Sequence, residues 1–141
     1  MAEFYVSVST QDMATQIADL INRYNQWYTT YTPMAISIMP ANYFVTLDID
    51  RVIGCSANIK EYPTLSKIMH VCVVPEFRNK GIAKSLVELS IQNCDTDYVY
   101  MTIRKDNIPS LRMANSLGFK FIKQDWFKDH WTLTLGRTRI V

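Results

Sequence analysis

Apolar and polar positions alternate with period two at the start of the chain. Phe4, Val6 and Val8 are separated by Tyr5 and Ser7, which predicts a short strand. Ser9 or Thr10 is placed to cap a helix, with Asp12 in its first turn. Met13, Ile17, Leu20 and Tyr24 then recur at helical spacing, with Ala14 and Ile21 beside them, so an amphipathic helix follows. From Asn25 to Pro40 the period is lost. This aromatic stretch, "NQWYTTYTPMAISIMP", carries Pro33 and Pro40 and reads as an irregular or short-helical excursion of the kind that forms binding loops.

Period two returns at Tyr43, Val45, Leu47 and Ile49. A turn at Asp50–Arg51 leads back through Val52 to Ile59, a hairpin whose second strand holds Gly54 at a bulge or a close backbone contact. After the "YPT" loop, Leu65 to Val74 forms another strand. It places Leu65, Lys67, Met69, Val71 and Val73 on one face and Ile68, His70, Cys72 and Val74 on the other. Both faces are apolar towards its end, as in a central strand covered on two sides. A helix follows, burying Ile82, Ala83, Leu86, Val87, Leu89 and Ser90, and then the strand "DYVYMTIR". A short helix runs from an Asp106 or Asn107 cap, with Pro109 in its first turn and Gly118 just past its end. "FKFIKQDW" and "HWTLTLGRTRI" close the chain as an antiparallel pair. The predicted architecture is an α/β (α+β) mixed, mostly antiparallel sheet with helices on both faces. One right-handed crossover makes the strands on either side of the Gly81 helix parallel.

The chain has 141 residues, 48% of them hydrophobic and 20% charged, which fits one globular domain over residues 1–141. A net charge of +2 gives no concentrated basic face and argues against a nucleic-acid partner. No apolar run approaches a membrane span, and "MAEFYVSVSTQD" lacks the pattern of a secretory leader. Cys55, Cys72 and Cys94 are an odd set without short spacing, and His70 and His130 lie far from any Cys-x-x-Cys pair. The expectation is a cytoplasmic protein with reduced, mostly buried thiols and no metal.

The junction "VVPEFRNKGIAKSLVELS" passes from strand to helix through a basic cluster and a glycine. Backbone N–H groups of Asn79 to Lys84 converge there without intrahelical partners, and Gly81 lets an anion approach the backbone. Arg78, Lys80 and Lys84 add positive charge. The pattern Arg78-Asn79-Lys80-Gly81-Ile82-Ala83 resembles the acyl-CoA-binding signature of the GNAT superfamily of N-acetyltransferases, Arg/Gln-x-x-Gly-x-Gly/Ala. "NIPSLRMANSLGF" resembles the second motif of that family, and "RVIGCSA" carries its hairpin glycine.

The resemblance implies an acetyl-CoA-dependent N-acetyltransferase acting on a primary amine of a small molecule or protein. The coenzyme pyrophosphate is expected at Arg78, Asn79, Lys80, Gly81, Ile82, Ala83 and Lys84, its arm along the backbone of Val71, Cys72 and Val73, and a further contact at Asn107. The Val73 N–H is the expected donor to the thioester carbonyl. Cys72 reads as a core thiol rather than a nucleophile, and Asn107 serves equally as a helix cap.

The family's catalytic side chains do not carry over. The tyrosine that serves as acid is replaced by Ala114, Thr102 stands near the strand-end glutamate, and Lys67 or Met69 occupies the other base position. Glu61, His70 and His130 remain as routes for the amine proton, with no ground for choosing among them. The alternative is a catalytically silent acyl-CoA-binding regulatory or interaction module. A further alternative takes the aromatic "WYTTYTP" segment as a peptide- or protein-binding surface. The chain is expected to be a monomer or a homodimer.

Overall fold

The computed structural model describes residues 2–6, 11–25 and 29–140, so the expected Ser9 or Thr10 cap and Trp27 lie outside the described residues. The elements run β1 (Ala2–Val6), α1 (Gln11–Tyr24), α2 (Pro33–Ile38), β2 (Ala41–Asp48), β3 (Arg51–Tyr62), β4 (Leu65–Val73), α3 (Ile82–Gln92), β5 (Tyr98–Arg104), α4 (Ile108–Ser116), β6 (Lys120–Phe127) and β7 (His130–Thr138). A single 3₁₀ turn, Pro75–Phe77, joins β4 to the loop before α3. The strands form one seven-stranded sheet in the order β1-β2-β3-β4-β5-β7-β6, antiparallel throughout except for β4 against β5.

The sheet centre is covered on both sides. Val52 to Asn58 of β3 are all buried, although consecutive side chains point to opposite faces. On one face, Ser56 donates to the Leu86 carbonyl at 2.8 Å and Asn58 Nδ2 to the Ser90 carbonyl at 2.8 Å, which ties β3 to α3. On the other, Tyr43, Val45, Cys55 and Ala57 join a core containing Ala14, Ile17 and Ile21 of α1 and Ile36 of α2. A second core lies under α4, where Ala114 and Leu117 meet Val87, Ile91, Val99, Met101 and Ile103.

The β2–β3 turn falls at Ile49–Asp50, one residue before the expected site, and pairs Asp48 with Arg51. Ile49 takes φ 57° there. Gly54 combines both expected features. Thr46 pairs with Gly54 and Leu47 with Val52, so β3 carries an extra residue. A Cβ on Gly54 would lie 3.1 Å from Leu86 and 3.3 Å from Ile82 and Val73, and its absence lets α3 pack against the strand. On α3 the buried side includes Ile91, which the sequence reading omitted, while Ala83 and Leu89 are only half-buried. In the segment expected to be irregular or short-helical, α2 is capped by Thr32, whose hydroxyl accepts from the Ala35 N–H at 3.1 Å, and Ile36 is fully buried.

The expected alternation along β4 breaks. Ala57 pairs with Met69 but Cys55 pairs with Cys72, so one residue of β3, Ser56, faces two of β4, His70 and Val71. The extra residue is accommodated at His70, which adopts φ 55°. As a result Ile68 packs with α3 and α4, while Cys72 joins the core on the α1 side; the two do not share a face as the sequence reading had it. No helix among the described residues is long and apolar enough to cross a membrane.

Candidate active site

The bulge in β4 has a second consequence. Leu65, Ser66 and Lys67 pair in parallel with Tyr98, Val99 and Tyr100, and there the pairing stops, although β4 continues to Val73 and β5 to Arg104. The strands splay, and β4 loses a partner on that side. Val74 N–H donates to the Ile53 carbonyl at 2.9 Å, so the pair Val73–Gly54 is of the kind that makes no cross-strand bonds. The Val73 N–H and C=O therefore point away from β3, into the gap.

A cleft of ≈ 880 Å³ fills this gap, bounded by β4, β5, the start of α3, the start of α4 and the end of α1. The backbone-bearing trio Val71, Cys72 and Val73 lines it, as do Arg78, Asn79, Gly81, Ile82, Ala83, Lys84 and Asn107. Lys80 does not; its ammonium sits 5.7 Å from the centre of the Phe77 ring. Arg78 is turned inward, with Nε donating to the Val73 carbonyl at 3.0 Å and its guanidinium over the Tyr24 ring.

The loop before α3 is shaped for an anion. Asn79 and Gly81 both have left-handed backbones, at φ 62° and 79°, on either side of Lys80. The first α3 backbone bond runs from Ser85 N–H to the Gly81 carbonyl at 3.0 Å, and no side chain caps the helix. The N–H groups of Ile82, Ala83 and Lys84 are thus left without intrahelical acceptors beside the positive end of the helix dipole. A Cβ at Gly81 would meet open space, so it is the φ of 79° that calls for glycine here. At the opposite wall Asn107 caps α4, its Oδ1 accepting from the Ser110 N–H at 3.4 Å.

Of the three groups that sequence left open as proton acceptors, only His70 lines the cleft. Glu61 hydrogen-bonds the Tyr100 hydroxyl on the exposed rim of the sheet. His130 is buried at the β6–β7 hairpin, 3.0 Å from Asp129. Nδ1 of His70 is 2.9 Å from the Tyr43 hydroxyl, and its ring meets Tyr31 edge-on at 4.7 Å between centroids. Burial, and then the nearby Lys67 ammonium, push the His70 pKa down to about 4. The imidazole is therefore neutral at physiological pH. Tyr43 has one hydroxyl proton and a second neighbour, Met39 Sδ, at 3.5 Å. The Tyr43–His70 contact fits either tautomer; when the hydroxyl proton turns to the sulfur, Nδ1–H donates to the Tyr43 oxygen and Nε2 carries the lone pair that a base requires.

Tyr31 is held by both amide atoms of Asn22, which donates to its carbonyl at 2.7 Å and accepts from its N–H at 2.8 Å. This clamp fixes the end of the aromatic segment against α1 and brings Thr29 and Tyr31 to the cleft wall. The other residues weighed from the sequence are spread differently. Lys67, Met69 and Thr102 line the cleft. Ala114, in the tyrosine's place, is fully buried among Val87, Ile91 and Met101, and the same helix turns Ser110 and Met113 to the cleft instead. Cys55 and Cys72 are buried with their sulfurs 3.6 Å apart, and the hydrogen bond with Cys72 together with burial pushes the Cys55 thiol well up. The described residues contain no cluster of metal-ligating side chains.

Residues 11–119 match the acetyltransferase (GNAT) family. The chain belongs to this family. Over 74 residues, 48% of its length, it is 36% identical to an N-alpha-acetyltransferase of Saccharolobus solfataricus. That match spans 44% of the relative, so the chain aligns with less than half the length of this curated protein. The GNAT fold is matched over almost the whole chain by smu.2055 of Streptococcus mutans UA159, with a TM-score of 0.84, 16% identity and 99% of each chain covered. A phosphinothricin acetyltransferase of Sinorhizobium meliloti, solved in complex with AcCoA, gives a TM-score of 0.79 at 16% identity, covering 98% of this chain and 89% of that one. At such identities the likeness is one of fold.

Proposed function

We propose that this GNAT domain transfers an acetyl group from acetyl-CoA to a primary amine of a small molecule or protein. The observation that carries the reading is the meeting, in one cleft, of an unpaired β4 edge and an open, left-handed loop at the start of α3. The first suits a pantetheine arm, an extended chain of amides that hydrogen-bonds as a strand does. The second suits the pyrophosphate. The two N-acetyltransferase relatives in part of the chain support the same chemistry.

In this reading Ile82, Ala83 and Lys84 bind the phosphates through backbone N–H groups, and Val71 to Val73 pair with the arm. The inward-facing Val73 N–H polarises the thioester carbonyl, where negative charge gathers in the transition state. The acceptor nitrogen attacks that carbonyl carbon. The N–C bond forms, the C–S bond breaks, and the coenzyme leaves as thiolate. His70 Nε2 takes the proton that the amine sheds. An ordinary thiol pKa of about 8.5 makes the thiolate a fair leaving group without a tyrosine acid. Thr29 and Tyr31 form the acceptor side of the cleft. The three free thiols, Cys55, Cys72 and Cys94, fit a reducing, cytoplasmic setting.

The test is release of the coenzyme thiol from acetyl-CoA against a panel of small amines, polyamines and peptides, with calorimetry for acetyl-CoA alongside. Binding with turnover on at least one amine is expected. Binding without turnover on any would replace this reading with a silent acyl-CoA-binding module, and absence of binding would remove both.

A further inference from the structure

The far edge of the sheet, opposite β1, is unusual. All eight residues of β6 are exposed, and β6 pairs only with β7 among the described residues. Five large apolar side chains stand at this edge, Phe121, Ile122, Trp126, Phe127 and the neighbouring Trp131, each 41% to 61% exposed. Open edges of this length and apolarity are rarely left bare in soluble proteins, because they recruit another strand.

We propose that β6 pairs with β6 of a second copy of this chain, antiparallel about a two-fold axis at Gln124, to form a homodimer with a continuous sheet. Three observations point to a second copy rather than to another partner. First, the hydrogen-bonding phase is right. A two-residue turn, Lys128–Asp129, closes the β6–β7 hairpin on the pair Phe127–His130. Alternation along the ladder then directs the N–H and C=O of Gln124 and Trp126 outward. A two-fold axis at Gln124 makes the outward groups of Gln124 bond those of Gln124 in the second copy, and sets Trp126 opposite Ile122.

Second, the strand is self-complementary in charge. In this register Lys123 stands opposite Asp125 of the second copy, and Asp125 opposite its Lys123. Within one chain these two already pair at 3.4 Å, in an exposed ion pair. The two-fold closes the four charges into an alternating square, and each shift of one residue loses it.

Third, the apolar groups fall opposite each other. Phe121 pairs with Leu135 but Lys123 with Thr134, so Ile122 is the extra residue of a bulge. Trp126 of one copy then lies against this Phe121–Ile122 bulge of the other. Beyond it, Lys120 and Lys128 repel and end the pairing. Five half-exposed side chains of this size supply on the order of 500 Å² per copy before backbone and lysine stems are counted, approaching the ~800 Å² per partner of a stable interface. The isologous contact uses up the edge, so it gives a closed dimer and no fibre.

The test is the solution mass of the full chain by light scattering at tens of micromolar, for wild type and four variants. Wild type is expected as a dimer. Gln124→Pro removes the central outward N–H at an edge position where proline is tolerated, and is expected as a monomer with an unchanged far-ultraviolet spectrum. Lys123→Asp and Asp125→Lys each place like charges across the axis twice and should weaken dimerisation at least ~10-fold. The double variant Lys123→Asp/Asp125→Lys restores the alternation and should restore the dimer. A monomeric wild type overturns the proposal and leaves the edge to a different chain. A dimer indifferent to the charge changes also overturns it, because the interface would lie elsewhere.

Discussion

The Tyr43 hydroxyl lies 2.9 Å from Nδ1 of His70, across two strands and 27 positions of sequence. Tyr43 is fully buried on β2, whereas His70 sits at the bulge of β4, on the wall of the cleft. The bond fixes the ring at the bulge in the middle of β4. It also ties the proposed proton acceptor to the α1-side core.

His70→Asn keeps a side chain that tolerates φ 55° and removes the imidazole. Turnover should fall by the ~10²–10⁴-fold typical of general-base loss, with little change in acetyl-CoA affinity. Steady-state rates paired with calorimetry check this. An unchanged kcat would take His70 out of the chemistry.

The same residue sets a pH dependence. Its folded pKa of about 4 lies below the ordinary value of 6.5, so between the two the unfolded chain binds more protons. Stability is full above pH 6.5 and falls as the pH drops towards 4, with a loss on the order of 3 kcal/mol from this group. Urea unfolding at several pH values should show the slope in wild type and a shallower one in His70→Asn. As the active form is the neutral one, the acid limb of kcat/KM should also lie well below pH 6.5.

At Gly81 a side chain is strained by φ 79° and projects into the open space before α3. Gly81→Glu should leave the fold intact, cost about 1 kcal/mol of stability, and abolish acetyl-CoA binding through bulk and like charge. Calorimetry that found wild-type affinity would move the pyrophosphate elsewhere.

Ala114→Tyr tests the tyrosine position of the family. With Ala114 fully buried in the second core, the larger ring overpacks α4 against β5. A loss of at least 1–3 kcal/mol and a lower Tm are expected, with no gain in rate. A folded, faster variant would show that α4 rotates to bring position 114 to the thioester.

Ser56 and Ser90 hydroxyls lie 2.7 Å apart beneath α3, and Asn58 Nδ2 reaches the Ser90 carbonyl. Asn58→Leu strips this buried link and should cost about 1–3 kcal/mol in urea unfolding. Since the proposed phosphate loop leads into α3, acetyl-CoA affinity should weaken with it.

Period and punctuation in the sequence determined most of the elements, the parallel crossover and the glycine turn before α3. These are local matters. The left-handed turn before α3 falls on Gly81, the residue type that adopts it most readily. The resemblance to GNAT motifs rested on the same local residues. Tertiary structure decided the rest. The bulge at His70 arises because Ser56 of β3 opposes both His70 and Val71 of β4, a mismatch between distant segments that alternation within β4 does not reveal. From it follow the separation of Ile68 and Cys72, the splay from β5, and the inward aim of Val73 N–H. That His70 lines the cleft while Glu61 and His130 lie outside it required the tertiary arrangement of the strands. The place of Ala114 required the packing of α4, because a helical period tells which residues share a face but not how far that face is rotated towards the cleft.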